Sequence, residues 1–305
     1  MPTDHLPMQF QTLAVLSTGI YFSGLAYFKM AAANMRPLRG DRPWMLTREM
    51  LSSGTWFTGA TVLAVGAAVQ VAALSGLSVL KALPMFLVGV VVLLVLAIPI
   101  LGERLTPREW GCVLLLAGAT ALFVQTGAAA HPPAEATAPA PVLVVAVALP
   151  SLLVPCIAFL GVDLARKGTH SRPLTGVAFA IHVGLLTGTS ELMLNGAADL
   201  MSTAPTALLA APYLYIFAIA ALLALGQLQI ALQRSRLVVV GLVATATAKT
   251  YLLITATVLY DEPWPADRTQ VALALALTIL AIVAVPHHEP RTAPPRLPRE
   301  SAAMH

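Results

Sequence analysis

Lys249 and Glu191 are the residues of this chain whose types and surroundings most demand a chemical reason. Lys249 stands near the middle of VATATAKTYLLITAT, residues 243–257, an apolar and threonine-rich run. If that run crosses a bilayer, the ammonium lies about twelve residues, or roughly 18 Å of helix, from either end. That is too far for the side chain to snorkel to water. A bare cation at the centre of a span costs on the order of 3 kcal/mol on insertion scales. Lys249 must therefore meet a polar cavity, a carboxylate or both. Thr245 lies one turn earlier on the same helix face. Two roles stay open: an ion pair that locks two helices, or a cation that binds an anionic substrate or takes part in proton exchange.

Glu191 is the partner this reading asks for, the one carboxylate well inside an apolar stretch. It belongs to a small, polar helix face on which Gly184, Gly188, Glu191 and Asn195 recur at i, i+4, i+7 and i+11. Gly184 and Gly188 also permit close helix approach, so the same face reads equally as a packing seam. A site where substrate and proton compete for Glu191 would give antiport.

The other polar groups at membrane depth are weaker signals. Lys81 opens a span near one surface and Lys29 closes another near the opposite one; both read as snorkelling cations, with substrate binding as the alternative for Lys81. His182, half a turn off the Glu191 face, reads as hydrogen-bonded packing or a proton relay. Gln70 and Gln229 either line a cavity or cross-link helices. Cys112 and Cys156 read as small apolar packing residues. Pro84, Pro99, Pro150, Pro155 and Pro212 are expected to kink spans.

These residues need helices to hold them, and the composition supplies helices of one kind. Of 305 residues 58% are hydrophobic and only 10% charged, where a soluble domain carries about 25% charged residues. Apolar runs of about 20 residues recur, long enough to cross a bilayer. The pattern predicts an all-α polytopic membrane protein with nine spans, at roughly 10–33, 51–75, 79–100, 108–126, 142–163, 174–196, 207–232, 237–260 and 269–286. The opening MPTDHLPMQF lacks a basic n-region, so no signal peptide is expected. The Ala/Pro-rich segment 127–141 reads as a linker between a first half, 1–126, and a second half, 142–286. The tail, 287–305, with its His287–His288 pair, reads as disordered.

Orientation follows from the cations. Alternate loops and the tail hold thirteen of the fourteen arginines together with Lys167, while Arg268 alone marks the other side. The positive-inside rule puts the N-terminus outside and the C-terminus in the cytoplasm. The remaining lysines, Lys29, Lys81 and Lys249, all fall within spans. High Ala content and arginine over lysine point to a GC-rich bacterial source and hence to an inner membrane.

A shift of 159 residues aligns spans two to four with seven to nine. Gln70 meets Gln229, Ala72 meets Ala231, Leu83 meets Leu242, Ala97 meets Ala256 and Glu103 meets Glu262. The paired spans cross in opposite directions, so the halves form an inverted repeat of four spans plus five, a plan common among secondary transporters. The repeat mate of Lys249 is the apolar Val90, so any site at Lys249 is asymmetric.

At Leu101–Trp110 the chain reads LGERLTPREW, followed by Gly111 and Gly118. This stretch resembles the drug/metabolite transporter superfamily, whose EamA-type repeats carry Gly-Glu-Arg-Leu-Thr and then Glu-Trp-x-Gly between their last two helices. The nine-span layout and the run Trp56…Gly66…Gln70 are similar to the NIPA-type, magnesium-transporter-like branch. The second copy, YDEPWPADRTQ, keeps Glu262 but loses the preceding glycine and the Leu-Thr. Glu103 and Glu109 are read as structural, capping the next helix and pairing with arginine.

The resemblance implies a secondary transporter without a cofactor, exchanging a small-molecule substrate across the lipid bilayer. The charges favour an exporter of an anionic or zwitterionic solute with proton antiport. A lipid-phosphate or lipid-linked sugar flippase is the alternative that would also use the lysines. A Mg²⁺ transporter follows from the branch likeness but lacks carboxylates, and an integral-membrane enzyme lacks a nucleophile or metal constellation. No nucleic-acid partner is expected, and a homodimer is left open.

Overall fold

The computed structural model of the protein describes residues 6–36, 38, 43–74, 85–126, 140–164, 176–203, 205–259 and 267–284. Lys81, Pro84, Glu262, most of the expected linker and the tail lie outside them. All regular structure among the described residues is helical, as apolar segments without water to satisfy their amides require. The helices are α1 (Leu6–Asn34), α2 (Pro43–Leu51), α3 (Gly54–Leu74), α4 (Met85–Val95), α5 (Pro107–Thr126), α6 (Pro141–Leu164), α7 (Gly176–Thr203), α8 (Tyr213–Arg234), α9 (Leu237–Leu259) and α10 (Arg268–Ala284). Four segments are long and apolar enough to cross a membrane: Thr12–Asn34, Gly176–Ala197, Tyr213–Arg234 and Leu237–Thr255. Shorter apolar stretches occur at Gly89–Ile100, Pro141–Ile157 and Arg268–Ala284. The chain is a helical protein of membrane type.

Helix packing has a definite order. The most extensive pairs are α1 with α3, α7 with α8, α7 with α9, and α5 with α10. Smaller contacts join α1 to α4 and α8, α3 to α7, α4 to α5 and α9, and α9 to α10. Glycine sets two of these crossings. A Cβ on Gly66 would sit 2.9 Å from the backbone nitrogen of Tyr21, and one on Gly184 would sit 2.5 Å from the carbonyl oxygen of Ala244. Neither α1–α3 nor α7–α9 could close as far with any other residue there.

Several local expectations change. The connection between the first two expected spans contains the helix α2, whose Leu46 and Met50, one turn apart, are buried while Trp44 and Met45 are exposed. This amphipathic spacing is helical, and Leu46 reaches toward Gly226 of α8. Pro212 does not kink α8; it stands at the N-cap position, just outside the helix. Pro99, lacking an amide hydrogen, sits in a π-helical turn, Leu96–Ile100, that continues α4 and is closed by Leu101 N donating to Leu96 O at 3.2 Å. Pro150 and Pro155 do lie inside α6.

Candidate functional site

A small cavity, with room of about 40 Å³, opens between four helices, two from each half of the sequence. Thr18, Tyr21 and Phe22 come from α1, Gln70 from α3, Thr187 and Glu191 from α7, and Ala244, Thr245, Ala248 and Lys249 from α9. The lining is hydroxyl-rich, with one amide, and holds one cation and one carboxylate.

The charges are paired. Lys249 Nζ donates to Glu191 Oε2 at 2.5 Å, and the two side chains are only 14% and 19% exposed. The geometry follows from the packing beneath it. Gly184 and Gly188 face α9, where a Cβ on Gly188 would meet Ala248 O at 3.0 Å and Tyr251 Cδ1 at 2.9 Å. The close crossing carries Glu191, the next residue on that face, to the level of Lys249. The seam and the ion pair are therefore one construction, so the two readings of the Gly184–Asn195 face are joined.

The first half contributes Tyr21, which the sequence reading passed over. Its hydroxyl lies beside Thr187 and faces the charge of Glu191. Gly66 admits the backbone of Tyr21 against α3, and the Tyr21 ring meets Phe22 edge-on at 5.6 Å. A tyrosine flanked by apolar residues carries no spacing signal; only its proximity to Thr187 and Glu191 singles it out.

The other expected site residues separate. Gln70 and Thr245 line the cavity. Asn195, one turn beyond Glu191, is half-buried outside it. Gln229, the repeat mate of Gln70, is fully buried elsewhere, and neither its Nε2 nor its Oε1 has a hydrogen-bond partner among the described residues. His182 also lies off the cavity; its ring meets Phe179 at 6.3 Å, and its Nδ1 has no hydrogen-bond partner among the described residues.

Lys29 does not snorkel. Its Nζ donates to Leu232 O and to Ser235 O, both at 2.7 Å, at the C-terminus of α8. These carbonyls stand at the negative end of the helix dipole, where an ammonium is favourably placed. Glu103 is a cap, but not of the helix that follows it. Gly102, at φ +67°, turns the chain so that Glu103 accepts from Leu237 N at 2.6 Å and Val238 N at 3.2 Å, the start of α9. Glu109 caps its own helix: Thr106 N donates to Glu109 Oε2 at 2.5 Å, and Glu109 N donates to Thr106 Oγ1 at 3.3 Å, a reciprocal capping box. Its carboxylate also receives Arg236 Nη1 at 3.1 Å.

Cys112 is buried and Cys156 half-buried, both as free thiols. Among the described residues no three His, Cys, Asp or Glu side chains come together as metal ligands. Compared with family models, curated proteins and solved structures, the chain matches none.

Proposed function

We propose that the chain is a secondary transporter that exports a small organic solute, anionic or zwitterionic, by alternating access. The observation that carries this reading is the cavity shared by α1, α3, α7 and α9 with the Lys249–Glu191 pair inside it. A buried pair with no task is weak evidence of stability, since its desolvation offsets most of its attraction. A pair set beside the hydroxyl and amide groups of this cavity is suited to exchange partners. A substrate carboxylate or phosphate would take Lys249, while Glu191 would accept a proton or a substrate ammonium, which is the basis for proton antiport.

The proposal includes nine spans in an inverted four-plus-five repeat, N-terminus outside and C-terminus in the cytoplasm of a bacterial inner membrane. It also includes membership of the drug/metabolite transporter superfamily. The helix contacts support the repeat. Exchanging α1 with α7, α3 with α8, α4 with α9 and α5 with α10 maps α1–α3 onto α7–α8, α1–α4 onto α7–α9, α1–α8 onto α7–α3, and α4–α5 onto α9–α10. The pairs α5–α10 and α4–α9 map onto themselves. The helix α6 is left without a mate, as the extra span of the second half.

The flippase alternative would draw on the same cation, Lys249, and the cavity lining offers it no further support. A divalent-cation route would require carboxylates that the cavity lining lacks beyond Glu191. The test is uptake into proteoliposomes of anionic, zwitterionic and cationic solutes by the full chain and by Lys249→Met. Flux of the first two classes, lost in the variant, is expected. A folded Lys249→Met protein that transports normally would remove Lys249 from the site, and the absence of flux for every organic class would overturn the reading.

A further inference from the structure

At the arginine-rich end, six side chains of the two halves hold one short turn. The turn is Ser235–Arg236, between α8 and α9. From the first half, Lys29 caps the last carbonyls of α8. In return Gln233 of α8 caps α1, its Nε2 donating to Ala32 O at 3.2 Å and Arg36 O at 2.9 Å, and its Oε1 accepting from Leu38 N at 2.8 Å. On the other flank, Glu103 caps α9. Arg236 Nη1 reaches back to Arg104 O at 2.5 Å and to Glu109, which Thr106 holds in place.

Above this layer, toward the cavity, the largest apolar core among the described residues joins helices of both halves. Leu25, Phe28, Leu93, Ile230, Val240 and Leu242 are among its buried members. Along α1 and α9 an apolar layer and then a polar clasp thus lie between the cavity and the arginine-rich end.

We propose that this clasp is the gate at the arginine-rich end, and that the turn Ser235–Arg236 is its latch. The inference rests on the alternating-access reading. Every bond in the clasp joins a side chain to a helix end, to a connecting segment or to another side chain; none belongs to a helix ladder. Water can satisfy each released carbonyl and amide once that end opens, so separation disrupts no helix. The helix α9 links latch to site, since its first amides lie under Glu103 and Lys249 stands about 18 Å further along the same helix. A substrate that parts Lys249 from Glu191 frees α9 from α7, and the tilt appears at Leu237 as a pull on the Glu103 cap.

The test is thiol accessibility in sealed membrane vesicles of both orientations, using the full chain with Cys112→Ser and Cys156→Ser. A reporter at Ala244→Cys sits in the cavity lining, and Arg108→Cys, exposed at the clasp end, identifies the vesicles that present that end to an impermeant maleimide. With the clasp intact, Ala244→Cys should be labelled slowly from that end. Glu103→Gln removes a charge-assisted cap and should raise the rate about tenfold or more. Lys29→Met, on the opposite flank, should do the same if Glu103→Gln does not fold.

Fast labelling from the clasp end with the clasp intact would overturn the proposal. So would an unchanged rate in both folded variants. These measurements need no substrate: a latch that opens in a protein without flux would leave the gate standing and remove the transport reading. Flux without any change in labelling would do the reverse.

Discussion

Lys29 and Gln233 exchange helix caps: the lysine of α1 closes the end of α8, and the glutamine of α8 closes the end of α1. Each helix ends where the other can satisfy it. Lys29→Met leaves Leu232 O and Ser235 O without that donor, and Gln233→Ala strips Ala32 O, Arg36 O and Leu38 N. Each change is expected to destabilise by about 1–2 kcal/mol, and the double variant by less than the sum, because both open the same joint. Thermal unfolding of the four proteins in one detergent checks this; full additivity would show two independent caps.

Removing one member of the ion pair should cost more than removing both. Lys249→Met takes the ammonium from Glu191, and Glu191→Leu takes the carboxylate from Lys249, each side chain being mostly buried. A single change is expected to lower stability by about 3–5 kcal/mol, and the double change markedly less. A double-mutant cycle on thermal unfolding measures the difference. Equal losses for single and double variants would mean that neither charge is stranded by loss of the other.

The two seam glycines are not equal. A Cβ on Gly184 would press against backbone, Ala244 O at 2.5 Å, and against Thr247 Cβ at 2.6 Å, whereas Gly188 meets its nearest atoms at 2.9–3.0 Å. Gly184→Ala should therefore destabilise by about 1–3 kcal/mol and Gly188→Ala by less. If transport parts α7 from α9 at this seam, Gly184→Ala should also weaken substrate uptake. A variant with unchanged unfolding temperature and flux would contradict the close crossing.

Gln229 gives a prediction of the opposite sign. Its amide is fully buried without a hydrogen-bond partner among the described residues. Gln229→Leu keeps the volume and removes an unsatisfied group, so it should be neutral or stabilise by about 1–3 kcal/mol. Loss of stability in thermal unfolding would show that a bridging water satisfies the amide.

Tyr21→Phe separates binding from folding. The ring keeps its packing against Phe22 and α3, while the hydroxyl beside Thr187 disappears. Unfolding should be little changed and the KM for a transported solute should rise about tenfold. An unaltered KM would place the hydroxyl outside the binding surface.

Several features were legible in the residue order because they rest on local chemistry. Apolar runs punctuated by polar breaks mark helices of membrane type, since backbone amides must be satisfied within the segment. Lys249 was conspicuous for the same reason: a charge without water nearby needs a partner, and Glu191 was the carboxylate at similar depth. The spacing of Gly184 and Gly188 announced a close approach, but not the neighbour. Glu109 was legible as a capping carboxylate, and the structure adds Thr106 as its reciprocal partner three residues away.

What needed the tertiary structure depends on which helix ends meet. Glu103 looks like a cap for the helix that follows it, yet Gly102 turns its carboxylate to α9, 134 residues away in sequence. Lys29 reads as a snorkelling cation until the C-terminus of α8 is found within its reach. Gln70 and Gln229 align in the repeat, but one lines the cavity and the other is buried outside it. Composition and period determine which segments become helices and which side chains are costly in lipid. The packing of helix upon helix decides which groups pay that cost together, because a side chain's partner is set by distance in space and not by spacing along the chain.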